Sequence, residues 1–167
     1  MLFHVRRRDR EVTDPEELRR ILRSTRYVTV ALCMDQNPYL VSLSHGYDEK
    51  HNCLYFHCAP EGKKLVFAKA NDRVWGQAVK DYGITDECDY AYTSVHFQGR
   101  LSIIDDLTEK QHGMEIMIHQ LSTTPEAKLA KIKPEKLATT TMLRIDIIGM
   151  TGKRHLNPKA IDRPEKS

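Results

Sequence analysis

YFHCAPEGKKL, residues 55–65, runs from an apolar, strand-like segment through a short turn into two adjacent lysines and a helix-like pattern. Alternation sorts the strand: Leu54, Phe56 and Cys58 fall on one face, and Tyr55, His57 and Ala59 on the other. The first set reads as the interior of a barrel, the second as outward-facing. Beyond the turn, Gly62 lets the backbone approach a ligand closely. The helix that opens there offers N–H groups without intrahelical partners and the positive end of its dipole. Lys63 and Lys64 add two ammonium groups at the same place. Solvated lysines on a helix face are the plain reading of such a pair. The sharper reading is a phosphate held at the helix start.

Outward from this strand, TDPEELRRILRST (13–25) places Asp14 as an N-cap, Pro15 at the first helical position and Leu18, Ile21 and Leu22 on one apolar face. YVTVALCM (27–34) is a buried strand, DQN a turn, and PYLVSLSHGYD (38–48) a second strand that starts on a tolerated proline. After EKHN comes CLYFHCA (53–59), and the three strands read as a meander, because the turns are too short for parallel crossovers. GKKLVFAKAN (62–71) is a short helix and DRVWGQAV (72–79) a fourth strand. YAYTSVHFQGRLSIID (90–105) is long enough to need a bend, and Gly99 is where it is expected. Asp106 or Thr108 caps LTEKQHGMEIMIHQL (107–121), KPEKLATT (133–140) is a helical link, and TMLRIDIIGMTG (141–152) is the last strand. Six or so antiparallel strands with two or three helices predict a mainly β fold, a small barrel with flanking helices.

The 167 residues fit one domain, residues 1–155, with a polar, proline-containing tail at 156–167. A net charge of +3 gives no argument for nucleic acid. No apolar run approaches the roughly 20 residues of a membrane span. The charged N-terminal region does not resemble a signal peptide, so a cytoplasmic location is expected. Cys33, Cys53, Cys58 and Cys88 form no CxxC pair and read as reduced thiols. His51, Cys53, His57 and Cys58 invite a zinc reading, but along one strand His51 and His57 would stand roughly 20 Å apart. No metal site is expected on that strand.

RRRDREVTDPEELRRIL, VALCMDQNPYLVSLSHGYD, LYFHCAPEGKKL, YAYTSVHFQGRLSIIDDLTEK and IIGMTGKR occur in an order that resembles one family. It is that of the FMN-binding split-barrel proteins related to pyridoxamine 5′-phosphate oxidase, and within it the nitroimidazole-resistance (Nim-like) branch. The resemblance covers about residues 6–154. It implies an antiparallel split β-barrel, a homodimer and FMN in the cleft between subunits. It also implies that Gly62, Lys63 and Lys64 hold the phosphate, and that Pro38, Tyr39, Leu40, Val41 and Ser42 lie along the ring and ribityl chain. His57, Cys58 and Ala59 would border the same groove, with His57 the candidate catalytic residue. Ser94 and Gln98 resemble positions near the ring or the partner subunit.

The sequence carries no nucleophile elbow, HExxH or GxGxxG motif. A flavin supplies the redox chemistry itself, so their absence does not argue against an enzyme. The implied activity is an FMN-dependent oxidoreductase that reduces a nitroaromatic or similar small molecule with electrons from an outside donor. Other readings are a flavin or haem carrier without turnover, with His57 or His96 as haem ligand, and a deazaflavin-dependent reductase. The C-terminal GMTGKRHLNPKAIDRPEKS has Arg154 and His155 but lacks the tryptophan-rich, arginine-containing context that grips the vitamin phosphate. That departure speaks against pyridoxamine-phosphate oxidation.

Overall fold

The structure, a computed structural model, describes residues 5–84 and 90–156. Cys88 and the tail beyond Leu156 lie outside them. In chain order the elements are β1 (Glu11–Val12), α1 (Pro15–Ser24), β2 (Tyr27–Met34), β3 (Asn37–Ser44), β4 (Gly46–Asp48), β5 (Cys53–Cys58) and α2 (Lys63–Ala70). Then come β6 (Arg73–Ile84), β7 (Tyr90–Ile104), α3 (Leu107–Leu121), α4 (Pro125–Leu129), α5 (Pro134–Thr139) and β8 (Thr141–His155).

Local chemistry sets most of these bounds. Asp14 accepts the Glu16 N–H at 3.0 Å and starts α1, with Pro15 at its first position. Asp106 accepts the Glu109 N–H at 2.8 Å and starts α3. Asp35 and Gln36 both take positive φ, 49° and 63°, which gives the two-residue turn whose twist suits the β2–β3 hairpin. The register of β7 against β8 shifts between Gln98 and Gly99, the bend expected at that glycine. A side chain at Gly99 would sit 2.5 Å from the Asp146 carbonyl oxygen, so the close strand approach requires glycine.

The sheet is antiparallel throughout, in the order β3-β2-β6-β7-β8-β5-β4, with β1 added on β8. This corrects the expected meander. β2–β3 and β4–β5 are hairpins, but β3 and β5 do not pair; they lie toward opposite ends of the sheet. The turns fix each hairpin, whereas the neighbour of each hairpin is chosen by distant strands. β3 and β4 are the two sheet edges, yet only His45 separates them in the chain. The sheet therefore curls until its edges meet at one residue, and the barrel stays split there. The strands number eight among the described residues rather than six, because β1 is very short and the expected second strand divides at His45.

Inside the curl, Val28, Val30, Leu54, Phe56, Val95, Phe97, Leu143 and Ile145 pack with Leu18, Ile21 and Leu22 of α1. A second cluster of Cys53, Tyr55, Ile104, Met117 and Met142 lies on the other side of the strands, beneath α3. The face of β5 expected to point outward is therefore covered at Tyr55, which is 1% exposed. Gly113 of α3 makes room, since a Cβ there would come within 2.6 Å of the Tyr55 ring. α4 was not expected; Thr124 followed by Pro125 at its first position is the signal for it.

The split is sealed from within. His45 is fully buried, and its Nε2 lies 3.1 Å from the Leu22 carbonyl of α1. With its proton on Nε2 the ring donates to that carbonyl, and Gln120 Nε2 stands 3.1 Å from the same nitrogen. Nδ1 is then a bare acceptor, buried without a partner. Gln120 of α3 donates to the Leu22 and Thr25 carbonyls at 3.1 and 3.0 Å and accepts the Tyr47 N–H at 2.8 Å. Burial lowers the His45 pKa to about 4, against the raising effect of the bond to Leu22.

Candidate functional site

At the open end of β5 the chain leaves through Ala59 and turns at Gly62 into α2. Gly62 has φ of 137°, a conformation that side chains rarely adopt, and nothing lies within 4 Å of where its Cβ would be. The Gly62 carbonyl accepts the Leu65 N–H at 3.0 Å, which starts the helix. The Lys63 and Lys64 N–H groups at the helix start have no intrahelical carbonyl to bond, and they sit at the base of two ammonium side chains. Lys63 Nζ lies 4.5 Å above the Tyr39 ring and 5.5 Å from Phe67, so the cation is steered toward β3. Lys64 is half-buried near Cys58: burial raises the Cys58 pKa and the Lys64 ammonium partly offsets it. Gly62, Lys63, Lys64, Cys58 and Tyr39 are thereby brought to one place.

β3 is a sheet edge, and alternation divides its residues. Tyr39 and Val41 pack against the core, whereas Pro38, Leu40 and Ser42 stand on the outer face. Strand register extends that face inward. Leu40 pairs with Ala31 and Ala31 with Trp75; Trp75 pairs with Gln98. In the next row Ser42, Thr29, Gln77, His96 and Thr151 follow one another, with the Ser42 and Thr29 hydroxyls 3.0 Å apart and Gln77 Nε2 3.1 Å from His96 Nε2. Ser94 belongs to the same face but is buried, and its hydroxyl donates to the Lys153 carbonyl at 3.4 Å. Burial, then the Lys153 ammonium, lower the His96 pKa, which keeps its imidazole neutral at pH 7.

His57 is placed elsewhere. It shares the Tyr55 side of β5 and lines a cavity of about 320 Å³ formed with Met114 and Ile118 of α3, Lys128 of α4 and Leu137 of α5. The sheet separates it from Lys63 and Tyr39. Sequence reasoning missed Trp75 and Gln77 as outer-face residues, although alternation in DRVWGQAV, with Val74, Gly76 and Ala78 inside, carries that signal. It named His96 only as a haem ligand.

An antiparallel sheet curled onto α1 and left open between β3 and β4 defines a split-barrel protein with flanking helices. The sequence profile of the pyridoxamine 5′-phosphate oxidase family matches residues 14–154, and the chain belongs to that family. No curated protein matches it significantly. Among solved structures it is similar to a Bacteroides thetaiotaomicron protein assigned to 5-nitroimidazole antibiotic resistance: TM-score 0.74, 22% identity, 86% of this chain and 85% of that one covered. A flavocytochrome from Azotobacter vinelandii gives a TM-score of 0.75 at 16% identity, covering 98% of this chain and 80% of that one. An FAD- and haem-binding protein from Mycobacterium smegmatis gives 0.73 at 18%, covering 91% and 78%. At these identities the likeness is one of fold. No helix among the described residues is long and apolar enough to cross a membrane.

Proposed function

We propose that this protein binds FMN along β3 and works as a reductase of small nitroaromatic or similar electron-poor molecules. The observation that carries the reading is the start of α2, where Lys63, Lys64 and the first-turn N–H groups gather at the edge of the outer sheet face. This donor set suits a phosphate monoester. Lys63 and Lys64 would hold the phosphate, Pro38, Leu40 and Ser42 would border the ribityl chain and ring, and Trp75 and Gln98 would lie toward the ring. The flavin, when bound, supplies the electron and hydride transfer. The chain's own part is to bind, orient and exclude water. His96, hydrogen-bonded to Gln77 and with its pKa lowered by burial, is the polar group on this face best suited to hold a substrate oxygen; His57 faces away from the core as well but stands on β5, beyond β7 and β8, next to α3 and α5. Pyridoxamine-phosphate oxidation is not part of the proposal: the C-terminal segment lacks the tryptophan-rich, arginine-containing context that the family resemblance associates with the vitamin phosphate.

The nitroimidazole-resistance likeness, spread over most of the chain, supports the nitro-reducing assignment. The purified protein is expected to be yellow and to release FMN on denaturation, as read by chromatography of the supernatant. With a chemical or enzymatic reductant it should reduce a 5-nitroimidazole, followed by loss of the nitro absorbance. A Soret band without flavin would overturn the cofactor. Bound FMN with no turnover would favour the carrier reading.

The outer face also supports a homodimer. Leu40 is 66% exposed and Trp75 42%, in one row across Ala31, and Tyr27 at 61% and Val79 at 44% stand on the same face beyond the row of Ser42, Thr29 and Gln77. Large apolar side chains left exposed on both sides of a polar row call for cover. A second copy related by a two-fold axis would cover it and enclose two equivalent flavin sites. Leu40→Glu with Trp75→Glu is expected to give a monomer in light scattering and to lose flavin along with dimerisation. A flavin-loaded wild-type monomer would refute the arrangement.

A further inference from the structure

Asp48 closes β4, His51 lies in the β4–β5 turn, and His112 stands in the second turn of α3. The Asp48 side chain is 4% exposed, while those of His51 and His112 are 46% and 42% exposed. One carboxylate oxygen, Oδ2, receives both rings: His51 Nδ1 at 2.7 Å and His112 Nε2 at 2.6 Å. The other oxygen accepts the His51 backbone N–H at 3.2 Å and so fixes the carboxylate plane. The three donor atoms all lie within 4.8 Å of one another. The His112 ring is held edge-on against Tyr55, and the His51 ring edge-on against His112, with 5.8 Å between centroids in both cases.

We propose that Asp48, His51 and His112 form a binding site for a divalent transition-metal ion of the zinc class. Two imidazoles and one carboxylate are a three-ligand set that leaves a coordination position for water. Imidazole nitrogen selects such ions over magnesium or calcium, which take oxygen ligands. The floor of the site is a buried carboxylate and its walls are two half-exposed rings, so an ion can enter from solvent. Both rings already turn their donor nitrogens toward the same carboxylate oxygen, so all three ligand atoms are gathered in one place. An ion there replaces the two ring N–H groups as partner of the carboxylate. Each neutral ring then carries its proton on its other nitrogen, and both rings swing back from the carboxylate to the roughly 3.3 Å ligand separation that bonds of about 2 Å to a tetrahedral ion require. The ligands come from the hairpin and from α3, so the ion would pin that helix to the end of β4–β5. The site lies on the α3 side of the sheet and does not depend on the flavin reading.

The test uses the full chain, without an affinity tag, stripped with chelator and titrated with Zn²⁺ alone by calorimetry. One ion per chain is expected, together with a rise in melting temperature. His51→Ala and His112→Ala should each weaken binding by more than the ~10- to 100-fold typical of losing a partner that only supports a ligand. His119→Ala, an exposed histidine on the same helix, should change nothing. Co²⁺ in place of Zn²⁺ gives visible ligand-field bands that should vanish in both ligand variants. Circular dichroism shows whether each variant is folded; His51, in an exposed turn, is the safer substitution. Absence of Zn²⁺ binding to the wild type, or equal binding by wild type and His51→Ala, would overturn the proposal.

Discussion

Replacing Lys63 and Lys64 together with alanine is expected to weaken the proposed FMN binding at least about a hundredfold and to leave riboflavin binding nearly unchanged. A charge-assisted hydrogen bond contributes about 1.5–3 kcal/mol. Lys63 is exposed and Lys64 half-buried, so the low end of that range applies to each, about 3 kcal/mol for the pair. At 1.4 kcal/mol per decade this is about two decades in affinity. Riboflavin has no phosphate and cannot feel the loss. The first-turn N–H groups and Gly62 remain in the variant, so FMN binding falls rather than vanishes. The fold should tolerate the change, because the core-facing residues of α2 are Leu65, Phe67 and Ala68. Lys63 does stack on Tyr39, so a small loss common to both flavins is expected from a less ordered β3 edge. Titration of both flavins into apoprotein, read by fluorescence quenching, measures the two affinities. Equal losses would mean that the lysines act through the fold, and no loss for either would mean that they are solvated.

Acid destabilises the protein through His45 well above the pH at which its carboxylates titrate. The folded-state pKa is about 4, while an unfolded histidine titrates near 6.5. The unfolded chain therefore binds the proton more readily. Stability is fully present above about pH 6.5 and is lost as pH falls toward 4. At 1.36 kcal/mol per unit the loss by pH 4 is about 3 kcal/mol, a large share of the stability of a small domain. His96 shares the sign of this effect, with burial first and Lys153 second among its causes. The Asp48 carboxyl does not intrude: burial works to raise its pKa, but the bonds from His112 and His51 outweigh that and hold it at about 2. Urea unfolding at pH 7, 6, 5 and 4.5, for the wild type and His45→Gln, isolates the term. The variant keeps an amide N–H able to donate to Leu22 but has no titrating group, so its stability should be flatter between pH 7 and 4.5. An unchanged slope would exclude His45 as the cause.

Local chemistry was enough for most of the elements. Asp14 with Pro15 started α1, Asp106 started α3, apolar strand-like runs marked β2 and β8, alternation sorted the faces of β5, and Gly99 marked the bend in β7. Such signals act over a few residues, through a cap, a turn or an alternation, and nothing distant is needed to read them. The phosphate-binding reading of Gly62, Lys63 and Lys64 was local too, because a strand, a turn and a helix start follow one another in the chain.

Tertiary structure alone decided three things. It separated β3 from β5 and placed them toward opposite ends of the sheet, since a hairpin turn specifies its own two strands and leaves their outer neighbours to competition among all the others. It laid α3 over Cys53 and Tyr55, which are buried, and left His57 exposed on the same side; the alternation of CLYFHC separates two faces but does not say what covers either. And it brought His112 onto Asp48 and His51 across 64 and 61 residues of chain, where a spacing argument along one strand had left His51 without a metal-binding partner. Each is a choice of which surfaces bury each other. Burial is set by the whole sheet at once, and no single stretch of sequence records it.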